Sequence, residues 1–484
     1  MASMGRFETV IGLEIHVQLQ TATKLFCGCT NAFGGRPNSR TCPVCLGMPG
    51  ALPVLNQKAV EFAVRAALAL GCQVNLRSRF ARKNYFYPDL PKGYQISQYD
   101  QPIAGRGKFS FDCGRRRAEV RLLRLHLEED AGKSIHSSMP RSGTNSYVDL
   151  NRCGVPLIEI VSEPDLRSPA EASAFLAALR NTLLYVGVTD ANMDEGSLRS
   201  DANISLRRCG QEHLNPKTEL KNLNSFRFLR QALRFEVERQ TALLEAGQPL
   251  TQSTRLFDEH TGKTVSMRAK EEAHDYRYFP EPDLVPVVLD EAAVVNASKD
   301  IPQLPLARLD RFVEELGLSY EDASTLVEER TRADYFEALI GAGTVISEAN
   351  KWVSNEIGRW LNEHNNSDFE VFPVPAEVLA SLVEAVQSGA IPAGMAGKVM
   401  DRMAETGSGV AAILAEEDFQ QISASDELAL FVDKVIEAHP NEVEAVRGGR
   451  EQVFGFLMGE VMRATRGKAN PDTARKLLRA RIKQ

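Results

Sequence analysis

The sequence predicts an α+β fold in which a β-sheet-rich domain is followed by two all-helical domains. Five segments of the first 295 residues alternate polar and aliphatic side chains with the period of a β-strand, whereas nearly every segment beyond Pro305 has helical spacing. Proline-rich stretches at residues 279–282 and 301–305, and the Gly407-Ser408-Gly409 triplet, are typical of boundaries. A chain of 484 residues accommodates about three domains, which we expect at residues 1–295, 296–406 and 407–484.

The five strand patterns carry acids and bases on one face. In residues 10–19, Glu14, His16 and Gln18 alternate with aliphatic residues that point to the other side. The same alternation recurs in four later segments, whose polar members are Arg124, His126, Glu128, Glu159, Arg199, Asp201, Asn203, Ser205, Lys217, Glu219 and Lys221. Carboxylates mixed with Arg and Lys suit Mg²⁺ and phosphate chemistry. A polar face that simply meets water explains any one strand, but five strands in one region favour a shared site.

Helices are predicted between and after these strands. In the first domain, residues 56–70, 168–185 and 225–246 have helical spacing, and Ser168 followed by Pro169 is a typical helix start. Beyond Pro305 we expect helices at residues 306–316, 332–341, 347–363, 425–439 and 450–465. The long helical region therefore contrasts with the strand-rich beginning of the chain.

Four of the eight cysteines are clustered. Cys27-Gly28-Cys29 is followed, twelve residues later, by Cys42-Pro43-Val44-Cys45, a spacing that predicts one structural Zn²⁺ held by four thiolates. An iron–sulfur cluster or two redox pairs are the alternatives. The scattered cysteines are interpreted as reduced thiols: Cys72, Cys113, Cys153 and Cys209.

Charge is distributed unevenly along the chain. The net charge is −7, yet residues 463–484 contain eight Lys or Arg and one Asp, so the rest of the chain carries −14. This basic, helix-patterned end is a candidate contact for an RNA backbone, although a solvated helix face fits the charge equally well. The candidate residues are Arg463, Arg466, Lys468, Arg475, Lys476 and Arg479. No apolar run approaches the ~20 residues that span a bilayer, and we expect a cytoplasmic protein without a membrane partner.

No nucleotide loop or amidase nucleophile is present in the sequence. Gly132-Lys133-Ser134 and Gly262-Lys263-Thr264 both lack the upstream glycine of a P-loop, so the sheet face must hold any ATP, with Lys133 as a further phosphate contact. The aromatic segments at residues 84–94 and 274–280 could stack a base or anchor their loops. His126 and His136 are interpreted as structural.

Several longer motifs carry a family resemblance. Residues 7–16, 82–89, 125–133, 156–165, 195–203 and 219–225 resemble the GatB family, which supplies one subunit of the glutamine-dependent aspartyl/glutamyl-tRNA amidotransferases. The resemblance implies a glutamine-synthetase-like cradle domain, a helical domain and a tail domain that contacts tRNA. It implies an ATP-dependent carbon–nitrogen ligase with glutamine as amido donor: the side-chain carboxylate of Glu-tRNA(Gln) or Asp-tRNA(Asn) is phosphorylated and then amidated. Ammonia comes from an amidase subunit (GatA), and a small subunit (GatC) completes the complex.

The resemblance also assigns roles to individual residues. Glu14, His16, Glu129 and Glu159 match magnesium-site positions, and Glu128 joins them as a catalytic candidate. The strand pattern identifies the same residues except Glu129, which strict alternation places on the opposite face. Further contacts to ATP or metal are expected from Arg199, Asp201, Asn203, Glu219, Lys221 and Lys133. Two alternatives are a glutamine-synthetase-like ligase acting on a free amino acid and a non-catalytic tRNA adaptor.

Overall fold

The computed structural model describes residues 6–135, 145–267, 275–366, 368–415, 425–465, 469 and 471–483. His136, His274, Arg466 and Lys468 lie outside these residues. The chain divides into two compact units, Met1–Arg308 and Leu309–Gln484. The first unit extends beyond the expected boundary at residue 295 because Ile301 and Leu304 pack on its core.

A nine-stranded sheet is the framework of the first unit. Its strands run in the order β14-β13-β12-β11-β1-β10-β7-β6-β2, and neighbours are antiparallel except β12 and β13. Smaller sheets pair β15-β4-β5, β16-β3 and β8-β9. The strands are β1 (Phe7–Gln18), β2 (Cys72–Val74), β3 (Arg77–Ser78), β4 (Ala81–Asn84), β5 (Tyr94–Ser97), β6 (Ala104–Cys113), β7 (Arg116–Glu129), β8 (Lys133–Ile135), β9 (Tyr147–Asp149), β10 (Pro156–Ser162), β11 (Leu198–Arg208), β12 (Thr218–Lys221), β13 (Ser253–Asp258), β14 (Lys263–Ser266), β15 (Phe279–Pro280) and β16 (Val287–Val288).

Helices begin where the sequence offers a capping side chain. Asn56, Ser168 and Ser225 each accept a hydrogen bond from a backbone N–H of the first turn, which satisfies a donor that the helix leaves unpaired. The helices are α1 (Gln57–Ala69), α2 (Pro169–Tyr185), α3 (Phe226–Glu245), α4 (Glu291–Lys299), α5 (Pro305–Glu314), α6 (Tyr320–Leu326), α7 (Arg330–Gly341), α8 (Ile346–Lys351), α9 (Gly358–Glu363), α10 (Ala376–Gln387), α11 (Ala393–Thr406), α12 (Val410–Leu414), α13 (Ser425–Ala438), α14 (Pro440–Arg447), α15 (Glu451–Ala464) and α16 (Pro471–Ile482). A π-helical segment, Trp352–Ile357, joins α8 to α9.

The core of the first unit lies on one face of the large sheet. Ile15 of β1 is fully buried there, and Phe175 of α2 and Leu233 of α3 belong to the same cluster of buried residues. The apolar faces of α1, α2 and α3 cover the aliphatic side chains of the strands, which removes them from water. The opposite face of the strands is thereby left to the polar side chains.

The second unit is helical throughout its described residues. Leu428, Leu457 and Leu478 of α13, α15 and α16 form part of one buried cluster. Gly407 ends α11 in the left-handed conformation, with φ 69°, which is the position expected for a break. These observations confirm the predicted fold class, a sheet-rich region followed by helices. Among the described helices, none is both long and apolar enough to cross a membrane.

Candidate metal and phosphate site

The five strands with acid and base patterns are neighbours in the sheet, in the order β12-β11-β1-β10-β7. Their register places His16 of β1 opposite Glu159 of β10 and opposite Arg199 of β11. Glu159 in turn faces His126 of β7. The alternation of side chains therefore gathers the polar residues of five strands on one face, as the sequence predicts.

His16, Glu128 and Glu159 form the centre of this face. His16 Nε2 lies 3.3 Å from a carboxylate oxygen of Glu159 and 4.0 Å from one of Glu128. One ligand atom from each residue lies within 4.8 Å of the other two. The Glu128 side chain is 3% exposed and that of Glu159 is 11% exposed. Two buried carboxylates and an imidazole at these distances can hold a divalent cation.

The surrounding cations keep both carboxylates ionised. Burial opposes ionisation of Glu159, but the nearby His126 and a hydrogen bond from His16 hold its pKa well below the usual range. Burial likewise opposes ionisation of Glu128, while hydrogen bonding to His126 and the charge of Lys83 lower its pKa. Negative charge is thus concentrated where the sheet offers metal-ligating atoms.

Two residues of this centre were not predicted as functional from the sequence. Lys83 of β4 is half-buried, and the charges of Glu128, Tyr278 and Glu159 raise its pKa although burial alone would lower it. His126 Nε2 lies 3.4 Å from Glu128 and 3.5 Å from Glu159. The alternation that selected Glu128 also selects His126, so the signal was present in the sequence. Lys83 lies in a four-residue strand of a different sheet and has no such signal.

Charged pairs continue along both sides of the centre. Asp130 accepts hydrogen bonds from Arg199 and Gln18, each at 2.8 Å. Burial raises the pKa of Asp130, but the charges of Arg199 and Arg152 outweigh it, so the pKa is lowered. The partly exposed Arg199 and the buried Asp130 therefore form an ion pair beside His16.

The remaining predicted contacts lie on β1, β11 and β12. Glu14 accepts a hydrogen bond from Asn203 at 3.0 Å, and it faces Asp201 across the strands. Lys221 Nζ lies 2.8 Å from Asp201 and 2.9 Å from Glu219. Burial disfavours the charge of Lys221, yet the negative charge of Asp201 raises its pKa. The ammonium of Lys221 thus bridges the partly exposed carboxylates of Asp201 and Glu219.

The structure does not place Glu129 with these residues. β7 continues through Glu129, which pairs with Pro156, so its side chain points to the face opposite Glu128. There Glu129 forms an ion pair with Lys92 and accepts a hydrogen bond from the Ile96 backbone N–H at 2.9 Å. The predicted magnesium ligand is therefore corrected to a buried residue that joins β7 to β5.

Lys133 also lies apart from the centre. It begins β8, which pairs with β9 in a separate two-stranded sheet, and its side chain is exposed. Within the described part of the chain, no hydrogen bond or ion pair joins Lys133 to His16, Glu128 or Glu159.

The aromatic segments fold against each other beside the site. Tyr85 contacts Tyr276 with ring centroids 6.0 Å apart, and Tyr99 stacks on Tyr278 at 4.1 Å. Phe86 and Tyr87 stay exposed. Most of these rings therefore anchor the two loops, which was the simpler of the two interpretations.

The clustered cysteines form a second candidate site. Cys45 Sγ lies 3.6 Å from Cys27, 3.8 Å from Cys42 and 3.9 Å from Cys29. A tetrahedron with Zn–S bonds of about 2.3 Å has edges of about 3.8 Å, whereas a disulfide bond measures about 2.05 Å. All four sulfur atoms lie within 4.8 Å of one another, and all are free of disulfides. The four side chains thus fit a tetrahedral metal.

The thiols of this cluster differ in acidity. Hydrogen bonding from Cys27 lowers the pKa of Cys45 to about 4, and the positive charge of Lys24 acts in the same direction. Burial raises the pKa of Cys29 to about 11. Without metal, Cys45 therefore carries a thiolate beside thiols, and a bound metal would require all four cysteines to be deprotonated.

Comparison with known proteins identifies the family of the chain. Residues 9–295 match the model of the GatB/GatE catalytic domain, and residues 334–482 match the model of the GatB domain. The chain belongs to the GatB family. Similar relatives are the GatB chains of the aspartyl/glutamyl-tRNA(Asn/Gln) amidotransferases of Geobacter sulfurreducens, 50% identical over 99% of both chains, and of Persephonella marina, 49% identical over 99% of this chain and 100% of that protein.

The GatB matches correspond to the two regions of the chain. The GatB/GatE catalytic domain match contains the polar face, the four cysteines and the helices that cover the sheet. The GatB domain match ends in α16, whose Ala474, Leu478 and Ile482 are buried. The expected RNA contacts Arg475, Lys476 and Arg479 are exposed on the same helix, and Arg463 is exposed at the end of α15.

Proposed function

We propose that this chain is the subunit of a tRNA amidotransferase that activates the side-chain carboxylate of Glu-tRNA(Gln), Asp-tRNA(Asn) or both. The observation that carries the proposal is the centre formed by half-buried His16 and buried Glu128 and Glu159 in a chain of the GatB family. The relatives are named as subunits of aspartyl/glutamyl-tRNA(Asn/Gln) amidotransferases, and the likeness extends over their full length. ATP is the proposed phosphoryl donor and ammonia the second substrate.

Magnesium is the metal that we assign to the centre. Mg²⁺ commonly binds one or two protein carboxylates and completes its coordination with phosphate oxygens and water. Glu128 and Glu159 supply carboxylates, His16 supplies a nitrogen, and Glu14 lies on the same strand and face two residues away. When bound, the metal would neutralise phosphate charge, which a carboxylate nucleophile must otherwise approach against repulsion.

Unpartnered polar atoms support a ligand on this face. Among the described residues, buried Arg124 Nε, His126 Nδ1, Arg199 Nε and Asn203 Oδ1 have no hydrogen-bond partner. All four residues belong to the polar alternation of β7 and β11. Buried polar groups are normally paired, and a bound nucleotide or aminoacyl group would supply partners here.

The surrounding residues have assigned tasks in the reaction. Positive charge for the phosphate oxygens would come from Lys83, Lys221 and Arg199. Asp201 and Glu219 orient Lys221, and Asn203 orients Glu14. A carboxylate oxygen of the aminoacyl group forms a bond to the γ-phosphorus as the bond to ADP breaks. The polar face would hold the carboxylate and the γ-phosphate for in-line attack, and the buried surroundings would limit hydrolysis of the acyl phosphate.

Amidation completes the cycle. Ammonia attacks the acyl carbon, phosphate leaves, and the proton released from nitrogen passes to water or a nearby base. The chain has no amidase nucleophile motif, so glutamine would be hydrolysed by an amidase subunit (GatA), and a small subunit (GatC) would complete the assembly. We assign the exposed Lys and Arg side chains of α16 to contacts with the tRNA backbone. We assign Zn²⁺ to the cysteine cluster. The assembled enzyme is expected in the cytoplasm.

The test compares substrates in the assembled enzyme. We expect ATP-dependent amide formation with Glu-tRNA(Gln) or Asp-tRNA(Asn), and no product from free glutamate or aspartate at equal concentration. Product from the free amino acids would favour a glutamine-synthetase-like ligase. Tight tRNA binding without ATP hydrolysis under any condition would favour a non-catalytic adaptor, and either result would overturn the proposal.

A matched pair of variants on β7 tests the assigned centre. Glu128→Gln changes a buried carboxylate of the centre, whereas Glu119→Gln changes an exposed one that pairs with Lys108. We expect the first variant to lose at least about 100-fold in tRNA-driven ATP hydrolysis and the second to match the unmodified protein. Equal activity of the two variants would reject the role of Glu128.

A further inference from the structure

Lys24 is the one fully buried lysine among the described residues, and it lies against the cysteine cluster. Its Nζ donates hydrogen bonds to the Arg40 carbonyl at 2.8 Å and to Cys45 Sγ at 3.4 Å. Within the described residues, none of the ion pairs that reach within 4 Å supplies Lys24 with a carboxylate. A charged side chain has thus been removed from water without an ordinary counter-charge.

Burial of an unpaired ammonium is strongly unfavourable, so the partner of Lys24 decides which form of the cysteine cluster the fold accommodates. Without metal, a single Cys45 thiolate beside three thiols offers Lys24 one negative charge, whereas two disulfides would remove the thiolates altogether. Four thiolates around Zn²⁺ carry a net charge of −2. Of these three forms, the metal–thiolate form places the most negative charge beside Lys24, and the disulfide form places none.

We propose that Lys24 is the buried counter-charge of a zinc–tetrathiolate site and that its charge sets how tightly the metal is held. This inference rests on the zinc assignment made above and adds a positioning residue to it. It also separates zinc from the redox-pair alternative, because oxidation of the cysteines would leave the ammonium buried alone.

The backbone holds Lys24 in place between the cysteine loops and the sheet. Its N–H donates to the Cys29 carbonyl at 3.0 Å, and the next N–H, that of Leu25, donates to Gly154 at 2.8 Å. A Cβ on Gly154 would lie 3.7 Å from Lys24 Cδ, and the φ of +79° at Gly154 favours glycine. These backbone hydrogen bonds hold the segment that carries Lys24, and the hydrogen bonds of Nζ to the Arg40 carbonyl and Cys45 Sγ orient its ammonium.

The experiment measures zinc retention rather than catalysis. The full-length chain, purified with its partner subunits, is titrated with a chelator of known zinc affinity, and released zinc is followed by absorbance. Lys24→Met removes the charge and the donor, whereas Lys24→Gln removes the charge and keeps an N–H for the Arg40 carbonyl. Both variants should bind zinc about 10–100-fold more weakly than the unmodified chain, as for other residues that support metal ligands. Lys24→Arg should restore most of the affinity, and Lys58→Met, an exposed lysine of α1, should leave it unchanged.

The outcomes separate the two claims. An unmodified chain without zinc would reject the zinc assignment itself. Zinc in the unmodified chain, with affinity in Lys24→Met and Lys24→Gln within twofold of it, would overturn the role of Lys24 alone. If the neutral variants accumulate only as insoluble protein while Lys24→Arg is soluble and zinc-loaded, the requirement for charge is supported. Insolubility of all three variants would overturn it, since packing and not charge would then be essential.

Discussion

The two faces of the same five strands differ in what they contribute to the molecule. On one face, Ile15 and its aliphatic neighbours are buried against α1, α2 and α3 and stabilise the fold. On the other face, Glu128 and Glu159 are buried side by side, where desolvation and mutual repulsion oppose their ionisation and the positive charges of neighbouring residues must offset both. A fold does not require the second arrangement. Alternate residues of one strand therefore serve different ends: one set stabilises the fold and the other forms the candidate site.

The largest expected effect is the loss of activity on the polar face. Glu159→Gln keeps the size of the side chain and removes a buried charge, so tRNA-driven ATP hydrolysis should fall by about 1000-fold. The free energy of unfolding should also fall, by about 1–3 kcal/mol, because His16 and His126 hold the pKa of Glu159 below its usual range and the fold therefore favours the ionised carboxylate. Initial rates and urea unfolding measure the two quantities. If Glu159→Gln lost stability but kept its rate per folded molecule, Glu159 would be a structural residue and the polar face would not be the functional one.

A loss of stability without a loss of activity is expected at Ile15, one residue before His16. Ile15→Ala leaves a cavity under the sheet and should lower the free energy of unfolding by about 2–5 kcal/mol, while Ile15→Val should cost about 0.5–1.5 kcal/mol. The rate per folded molecule should stay within about twofold in both variants, since the polar face is untouched. Urea unfolding monitored by fluorescence provides the stability, and active-site titration corrects the rate. A rate that falls in proportion to the cavity would show that the two faces are not independent.

Alternation predicts most of this arrangement because the period of two is a property of the extended backbone. It assigns Glu14, His16 and Glu159 to one face and Ile15 to the other, as the structure has them. Helix starts are equally local, since the Ser168 hydroxyl caps the backbone only three residues away. Features determined within a few residues are thus readable from the sequence.

Long-range contacts are not readable in this way. Lys83 reaches the centre from β4, and the contact between distant segments leaves no periodic signal in either one. Lys24 is likewise near Cys45 only after the cysteine loops have folded. Glu129 teaches a further point, because the local alternation placed it correctly while the family resemblance placed it in the metal site. The length of β7 decides which face Glu129 occupies.

Glu236 offers an intermediate case, a buried charge on the side of the sheet that the helices cover. It is held by Arg239, Arg255 and Thr264, and Glu236→Gln should lower the free energy of unfolding by about 2 kcal/mol at neutral pH. Burial alone would raise its pKa, but hydrogen bonds from Arg239 and Thr264 keep it below the usual carboxyl range. The unfolded carboxyl has its ordinary pKa, so the stabilisation is fully present above that value and is lost as pH falls through the lowered folded value.

Unfolding of Glu236→Gln and the unmodified chain should therefore converge in acid. The matched control is Glu238→Gln on the same helix, where the side chain is exposed and no difference is expected at any pH. Denaturant unfolding between pH 7 and pH 3 measures the convergence. If folded Glu236→Gln lost activity without losing stability, this charge would have a role in function. The helix-covered side of the sheet would then not be purely structural.

The smallest effect is expected in α16. Like the strands, this helix has a buried apolar face and an exposed polar face, but its side chains alternate with the helical period. Arg475 is exposed, and its nearest described partner is Asp472 at 3.8 Å, whereas Leu478 is buried in the core of the second unit. Arg475→Ala should weaken tRNA binding by about threefold and reduce the slope of log affinity against log salt by about one, because one phosphate contact is lost. Leu478→Ala should lower stability and leave the salt slope unchanged. Binding isotherms at several salt concentrations measure the slope; if Arg475→Ala leaves it unaltered, the basic face of α16 is solvated and does not contact RNA.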